Sequence, residues 1–373
     1  MQESAVGKAL PGPLRNAVPW RSLYYGVRGW GWFLLRRLLQ MVVMMFFVSM
    51  AVFYLVNIEP NLKKYAMSET HARAGDQEIE RWLERHGYRD NFFVRYGEWL
   101  GVLPKHPTLD ADGNAVQRFS FCEEPAVASF DGVLQGNFGC STKFDAPVAD
   151  KISGALRATG ILMFWAFVVM VPAALAAGVL AGIREGTRTD RALTTGMVLT
   201  TSMPEYVAGV LLTIVFASWL GLLNGSAATA TTQGVTFNNI ALPVITIAIH
   251  GAGYIARMTR VSMAEVMQQN YIRTARLKGL KYPTIIFRHA LRNGMITPFT
   301  IIMLQFPWML NGVIIVELMF RYQGFGFTMI QAADSNDIDL LLACSLVSVF
   351  VVLSTQIISD IGYILLNPRI RTQ

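Results

Sequence analysis

The sequence predicts an all-α integral membrane protein with six spanning helices, a cytoplasmic helical hairpin and a sizeable external segment between the first two spans. Three observations carry that class: composition, the lengths of the apolar runs, and the placement of charge. Of 373 residues, 53% are hydrophobic and only 15% charged, a balance too apolar for a water-soluble chain of this length. The apolar residues gather into runs close to the roughly 20 residues that cross a bilayer. The runs cover about Leu38 to Ile58, Ala158 to Ile183, Leu193 to Leu223, Ile240 to Ala256, Gly294 to Phe320 and Leu340 to Leu366. Pro172, Pro204, Pro243, Pro298 and Pro307 interrupt several of them, which membrane helices tolerate where neighbours satisfy the freed carbonyls.

The net charge of +7 lies in blocks between the apolar runs rather than along one soluble face. Membrane orientation accounts for it, and no nucleic-acid partner is expected. Residues 1–33 form an N-terminal tail with Lys8, Arg15, Arg21 and Arg28, followed by Arg36 and Arg37, against the single acid Glu3, so the N-terminus is expected in the cytoplasm. Within this tail Trp20, Tyr24, Tyr25, Trp30 and Trp32 mix with Arg21 and Arg28, the composition of an interfacial elbow helix lying on the inner leaflet. The first span, residues 34–58, is too long for a signal-peptide core and reads as a retained anchor.

Residues 59–155 are expected outside as a small subdomain, since acids outnumber bases there. Helical patterning runs from Asp76 to Leu103, with Ile79, Trp82, Leu83, Phe92, Phe93, Tyr96 and Leu100. Pro104 to Ser120 is loop-like, with a turn at Asp112-Gly113. Cys122 and Cys140 both fall in this segment, whereas Cys344 lies in the last span. In an oxidising compartment the first two can form a disulfide that stabilises by about 3 kcal/mol, or remain free thiols.

Residues 156–366 form a five-helix core. Its inner loops carry Arg184, Arg188 and Arg191, then Arg257 to Arg292 with only Glu265 opposing, and the loop 224–239 is uncharged and external. The C-terminus, residues 367–373 with Arg369 and Arg371, returns to the cytoplasm. Within the core, residues 261–293 read as a basic hairpin. Met263, Met267, Tyr271 and Ala275 recur at i, i+4 spacing as an apolar stripe, with Arg273, Arg276 and Lys278 in the C-terminal turns. Gly279 supplies a left-handed cap and a tight reversal, and a second short helix runs through Phe287, Leu291 and Met295.

The stretch Tyr271-Ile-Arg-Thr-Ala-Arg-Leu-Lys-Gly279-Leu, followed by Phe287-Arg-His-Ala-Leu-Arg-Asn293, resembles the EAA loop of ABC importer permeases of the dipeptide and oligopeptide branch. Further signatures similar to that family follow in its order: Leu34-Leu-Arg-Arg-Leu-Leu39, Gly132-Val-Leu-Gln-Gly-Asn-Phe-Gly139, Ser202-Met-Pro-Glu-Tyr-Val-Ala-Gly209, Val316-Glu-Leu-Met-Phe320 with Gly324-Phe-Gly326, and Asn367-Pro-Arg-Ile-Arg371. The resemblance runs from about residue 34 to 371. Departures are Leu277 where alanine is frequent, Asn270 where an acid is common, and a longer external stretch between Leu103 and Asp131.

The resemblance implies a permease subunit of the bacterial inner membrane, half of an ATP-driven, binding-protein-dependent importer of peptides or peptide-like solutes. It implies that the hairpin is a coupling helix seated in a cytoplasmic ATPase, through Tyr271, Arg273, Thr274, Ala275, Arg276, Lys278, Gly279, Leu280, His289, Arg292 and Asn293. The implied partners are a second, homologous permease chain forming a heterodimer, two ABC ATPase subunits, and an external substrate-binding protein docking on the segment Asn57 to Ala155 and the loop Phe320 to Asp339. This chain would bind no cofactor, ATP and Mg being held by the ATPases. The sequence agrees that it is no motor of its own, for it has no G-x-x-x-x-G-K followed by Ser or Thr.

Ionisable groups inside spans are functional candidates by default. Glu205, after Pro204 in the third span, and Asn311 in the fifth are the candidate pathway residues. Glu205 could equally cap carbonyls freed by the proline. His250 reads as a packed residue, and for Glu317 and Asp360, near span ends, interfacial solvation or a helix-end contact suffices. The competing reading is an ion-gradient-driven secondary transporter in which Glu205, His250 and Asp360 relay protons. A membrane enzyme is not supported: there is no GxSxG elbow, no H-E-x-x-H and no His/Cys metal spacing.

Overall fold

A computed structural model of the chain describes residues 20–70, 75–105, 108–109, 115–116 and 130–366. The first helix, α1 (Trp20–Val56), is continuous. An elbow helix followed by a separate span is therefore not what forms, because no proline or N-cap residue between Trp32 and Leu38 stops the helix. Its part up to Met44 is a unit of its own, where Leu35, Leu38, Leu39, Val42 and Met44 are exposed, as suits a lipid-facing surface.

The second unit starts at Met45 and includes the segment expected to be external. Helices α2 (Glu59–Glu69), α3 (Asp76–Arg85) and α4 (Phe92–Leu100) follow one another. The Asn91 side chain accepts from the Phe93 amide to start α4, and Gly101 at φ +83° ends it. Ile79, Leu83, Tyr96 and Trp99 are buried with Phe53, Leu62 and Tyr65 in one core, whereas Phe93 is exposed. Arg95 is buried in that core, donating to the Tyr88 carbonyl at 2.9 Å and to the Asn57 side chain. Nearby, burial pushes the Glu98 carboxyl above and the Lys105 ammonium below their usual ranges, each opposed by the charge of the other.

Two strand pairs, β1 (Thr108–Leu109) with β2 (Ala115–Val116) and β3 (Cys140–Ser141) with β4 (Ala146–Pro147), are antiparallel. Cys140 is buried and disulfide-bonded, and Cys344 is a buried free thiol. Cys122, the Asp112-Gly113 turn and the Asn367 to Arg371 motif lie outside the described residues.

Helix α5 (Val148–Ile183) begins eight residues before the end of the segment expected to be external, with Pro147 as its N-cap and Asp150 in its first turn. Next come α6 (Arg188–Ser202) and α7 (Glu205–Leu212), the latter prolonged to Trp219 by a π-helical stretch. The expected third span is thus two helices meeting at 107°. The cause is Pro204, which drives Met203 into extended backbone at ψ 126°.

Helix α8 (Phe237–Met267) opens with a reciprocal capping box of Thr236 and Asn239. It is the central helix: 72% of its most apolar window is buried, against 17% for α1. After it come α9 (Asn270–Leu277), α10 (Tyr282–Thr284), α11 (Leu291–Gly294), α12 (Ile296–Phe320), α13 (Phe325–Asp334) and α14 (Ile338–Leu366). Among the described residues four helices are long and apolar enough to cross a membrane, and up to six spans result if the two bent pairs, α6 with α7 and the halves of α12, each make one.

Helices α5 and α8 approach closely because small residues line the contact. A β-carbon on Gly178 would strike the Ala256 carbonyl and Thr259, and one on Gly182 would strike Met263 and the Arg260 carbonyl. Ala174, Gly178 and Gly182 thus work as a small-residue stripe at i, i+4 spacing. Also on α8, Gly253 admits Thr200 and the Met197 carbonyl of α6.

Two buried carboxylates, Glu317 and Asp337, organise the end of the core away from the hairpin. Glu317 of α12 accepts from Thr159 and from the Phe327 amide at 3.0 Å, while Thr159 accepts from the Phe325 amide at 2.8 Å. Glu317 is fully buried, so the expected helix-end contact holds and interfacial solvation does not. A side chain at Gly324 would overlap that carboxylate, and one at Gly326 would strike Ile314, which is why glycines recur at this spacing. Asp337 caps α14 by accepting from Leu340 at 3.1 Å, and it receives Ser141 at 2.6 Å and the Lys143 amide at 3.2 Å.

Replacing Asp337 with alanine strands three donors in a dry site. Asp337→Ala is expected to lower stability by about 2–4 kcal/mol, read as earlier thermal unfolding and faster proteolysis of residues 130–150. Wild-type behaviour would show that the clasp contributes nothing.

Candidate functional site

The hairpin is built as an extension of α8. Its chain reverses direction slightly at Gln268 and Gln269, the latter extended at ψ 148°, and α9 starts in a new phase. The expected stripe Met263, Met267, Tyr271, Ala275 therefore does not run straight through. Ile272 and Ala275 are the buried residues of α9, packed with Met263, Ile285 and Ala290, and Tyr271 is exposed. The break between the helices resets the angular count, so i, i+4 spacing across it no longer marks one face.

At the end of α9 the Leu280 amide donates to the Ala275 carbonyl at 3.3 Å and the Gly279 amide to the Arg276 carbonyl at 3.0 Å. Gly279 sits at φ +72° with open space where a side chain would be. This is a complete Schellman stop with glycine in the left-handed position. The returning arm starts at α10 with Pro283 in its first turn, becomes π-helical from Ile285 to Ala290 and closes with α11. The wider π turn alters which residues point inward: Ile285, Ile286 and Ala290 are buried, and Phe287 projects outward.

The result is a rim of cations around apolar knobs. Leu277 is 81% exposed and Phe287 73%, with Leu280, Tyr271 and Tyr282 also exposed. Arg273, Arg276, Lys278, Lys281, Arg288 and Arg292 are exposed around them. Large apolar groups exposed beside cations that have no ion-pair partner among the described residues are costly in an isolated subunit.

The base of the hairpin is fastened to the turn between α5 and α6. The Arg260 guanidinium grips buried Asp190 with both arms, Nε to Oδ1 at 2.5 Å and a terminal nitrogen to Oδ2 at 2.8 Å. Asp190 also accepts from the Gly186 amide at 2.9 Å and from Thr194 at 3.1 Å, while Thr187 caps α6 by accepting from the Asp190 amide. Gln268 donates to Glu185 at 3.0 Å, the Tyr282 hydroxyl to the Ile183 carbonyl at 3.3 Å, and Ser262 to the Gly294 carbonyl at 2.8 Å. Asp190 was legible only as the fourth residue of Thr187-Arg-Thr-Asp190, a capping-box spacing; its partner Arg260 gave no local signal.

Comparison with known proteins decides the family. Residues 174–372, more than half of the chain, match the family described as the inner membrane component of binding-protein-dependent transport systems. The chain belongs to that family. The probable peptide ABC transporter permease protein y4tP of Sinorhizobium fredii is 28% identical over 91% of this permease and 99% of its own length. The oligopeptide transport system permease protein AppB of Bacillus subtilis is 26% identical over 91% and 98%. The glutathione transport system permease protein GsiC of Escherichia coli K12 is 28% identical over 91% and 98%. This permease is thus a multi-pass membrane subunit that works with other subunits of such a system, and the reading as an independent ion-driven carrier falls.

Of the residues carried over from the resemblance, Tyr271, Arg273, Thr274, Arg276, Lys278, Gly279, Leu280, Arg292 and Asn293 lie on the exposed hairpin surface. Ala275 points into the core and His289 is half-buried, so those two shape the hairpin rather than present it. Leu277 and Phe287, absent from that set, are its most exposed apolar groups.

Away from the hairpin, Glu205 stands in the first turn of α7 at the 107° break, 8% exposed, and its Oε1 has no hydrogen-bond partner among the described residues. It therefore does not serve as a cap for carbonyls freed by Pro204. Asn311 belongs to α12, with its side chain outside the described residues. His250 stacks on Trp308 at 5.0 Å, a packed residue as expected.

Arg260→Ala leaves Asp190 buried without its charge partner and is expected to cost about 3–5 kcal/mol. The measurement is proteolysis of the hairpin in membranes, which should accelerate; Asp190→Ala combined with Arg260→Ala should restore part of the protection, because no orphan charge remains.

Proposed function

We propose that this permease forms one half of the translocation pathway of an ATP-driven importer for peptides or peptide-like solutes in the bacterial inner membrane, with both termini in the cytoplasm. The single observation that carries the reading is the hairpin from α9 to α11, rigidly capped and fastened at its base, with Leu277 and Phe287 bare in a ring of cations. Such a surface suits seating in a cytoplasmic ATPase. Two ATPase subunits would hold ATP and Mg, a second homologous permease would complete a heterodimer, and an external binding protein would deliver solute. The relatives named for peptide, oligopeptide and glutathione transport support the solute class.

In this mechanism ATP-driven closure of the motor pushes on the hairpin, and the membrane helices move between inward-open and outward-open arrangements. Glu205, a buried carboxylate without a partner at a break in a span, is the residue of this half that would meet a cationic group of the solute. Cys140 would be bonded to Cys122, tying down the long external stretch.

Two substitutions test this in transporter reconstituted with all its subunits. Gly279→Asp forces a side chain into a left-handed position, costing about 1–2 kcal/mol locally, and places an acid in the cationic ring. It should abolish solute uptake while leaving the membrane subunit folded, and Gly279→Asn, which carries a comparable backbone cost without the charge, should retain more uptake. Normal uptake in Gly279→Asp would refute the docking assignment. Glu205→Gln should reduce uptake about tenfold, equivalent to one charged contact of about 1.4 kcal/mol, with the assembled complex intact; unchanged uptake and unchanged solute-stimulated ATP hydrolysis would remove Glu205 from the pathway.

A further inference from the structure

At one end of the second unit, α5, the segment before α8 and α13 line an open groove of about 690 Å³. That size lies within the range of small-ligand sites. Its wall on α5 is the stripe Asp150, Gly154, Arg157 and Ile161, spaced i, i+4, i+7, i+11 and therefore on one helix face. Gly154 leaves open space where a side chain would stand.

The polar groups of this groove divide into engaged and free. Tyr322 donates to the Ala158 carbonyl at 2.7 Å and Thr328 to the Gly324 carbonyl at 2.8 Å, and the Lys151 ammonium rests over the Phe144 ring at 4.3 Å. The side chains of Asp150, Arg157 and Gln331 line the same groove and have no partner among the described residues. An exposed anion and an exposed cation thus line one open groove together with a carboxamide.

Their spacing selects a ligand. Seven residues along a helix separate Asp150 from Arg157 by about 10.5 Å at 1.5 Å per residue. An extended chain advances 3.3–3.6 Å per residue, so about three residues bridge that length. We propose that this groove is an outer binding site for a short zwitterionic peptide of about three residues, its ammonium at Asp150, its carboxylate at Arg157 and its amides at Gln331. The proposal rests on the peptide reading above and deepens it by naming the termini as what is recognised.

The test uses the complete transporter in nanodiscs carrying Gly154→Cys, a position with room for the thiol. A membrane-impermeant thiosulfonate labels it, and transporter without the substitution gives the background of the native cysteines. Trialanine alone, without binding protein, is expected to slow labelling about tenfold at ten times its Kd. Trialanine amide and N-acetyltrialanine at the same concentration should protect far less. Adding Arg157→Gln should abolish the preference of trialanine over its amide, and Arg157→Lys should keep it. Equal protection by all three peptides, or none by any, in transporter that still imports peptide with its binding protein overturns the proposal. So does protection seen only with the binding protein and equal whether that protein is empty or loaded, which would make the groove a protein-docking surface. Failure of the complete system to import any peptide would instead strike the solute class proposed above.

Discussion

The permease depends on how near α5 comes to α8. In lipid, no hydrophobic force drives one helix onto another, and attraction comes from close packing and interhelical contacts. Gly178 and Gly182 let the backbone of α5 reach the Ala256 and Arg260 carbonyls, distances that any larger residue would forbid. The hairpin end of the two helices follows from that contact. Gly182 receives Met263, Met263 roofs the core of Ile272, Ala275 and Ile285, and the hairpin is held as an outgrowth of a two-helix block. A substitution at Gly178 or Gly182 would therefore disturb a surface far from it along the chain.

The ion pair of Arg260 and Asp190 has a different part. A buried pair adds little net stability once desolvation is counted, yet its geometry is demanding. Here both guanidinium arms are engaged and the carboxylate also ties Gly186 and Thr194. The pair sets the register of the α5–α6 turn against α8 where small residues alone would permit sliding. Packing supplies the proximity and the charges fix the orientation.

Much of this was legible along the chain. The spans and the Gly279 reversal are written in local pattern, because lipid thickness and the left-handed position each restrict residue type without reference to distant partners. What escaped was phase. The π turn at Ile285 to Ala290 and the extended Gln269 rotate the hairpin faces, so Phe287 projects and Tyr271 leaves the stripe. Both effects depend on tertiary packing around Met263. Asp190 escaped for a related reason, since its partner lies seventy residues away, and the unbroken α1 because an aromatic belt resembles a separate element only when its continuation is ignored.

Rigidity at the hairpin places the compliance elsewhere. A lever transmits motion only if it does not bend; α9 is stopped by two Schellman bonds, and the hairpin base is tied by Gln268 to Glu185, Tyr282 to Ile183 and Arg260 to Asp190. On the proposed docking, a displacement of the hairpin would move α5 and α8 as one body. The weak link is the 107° corner between α6 and α7, where Pro204 has removed a helical hydrogen bond and the chain already departs from helical geometry at Met203. Corners of this kind absorb φ/ψ change without melting a helix. Glu205 stands at that corner, unpartnered and buried. An ionised carboxylate in such a place is costly, and protonation, a visiting cation or a change of shape would each relieve that cost, so the corner and the buried acid are coupled in this half of the pathway as proposed.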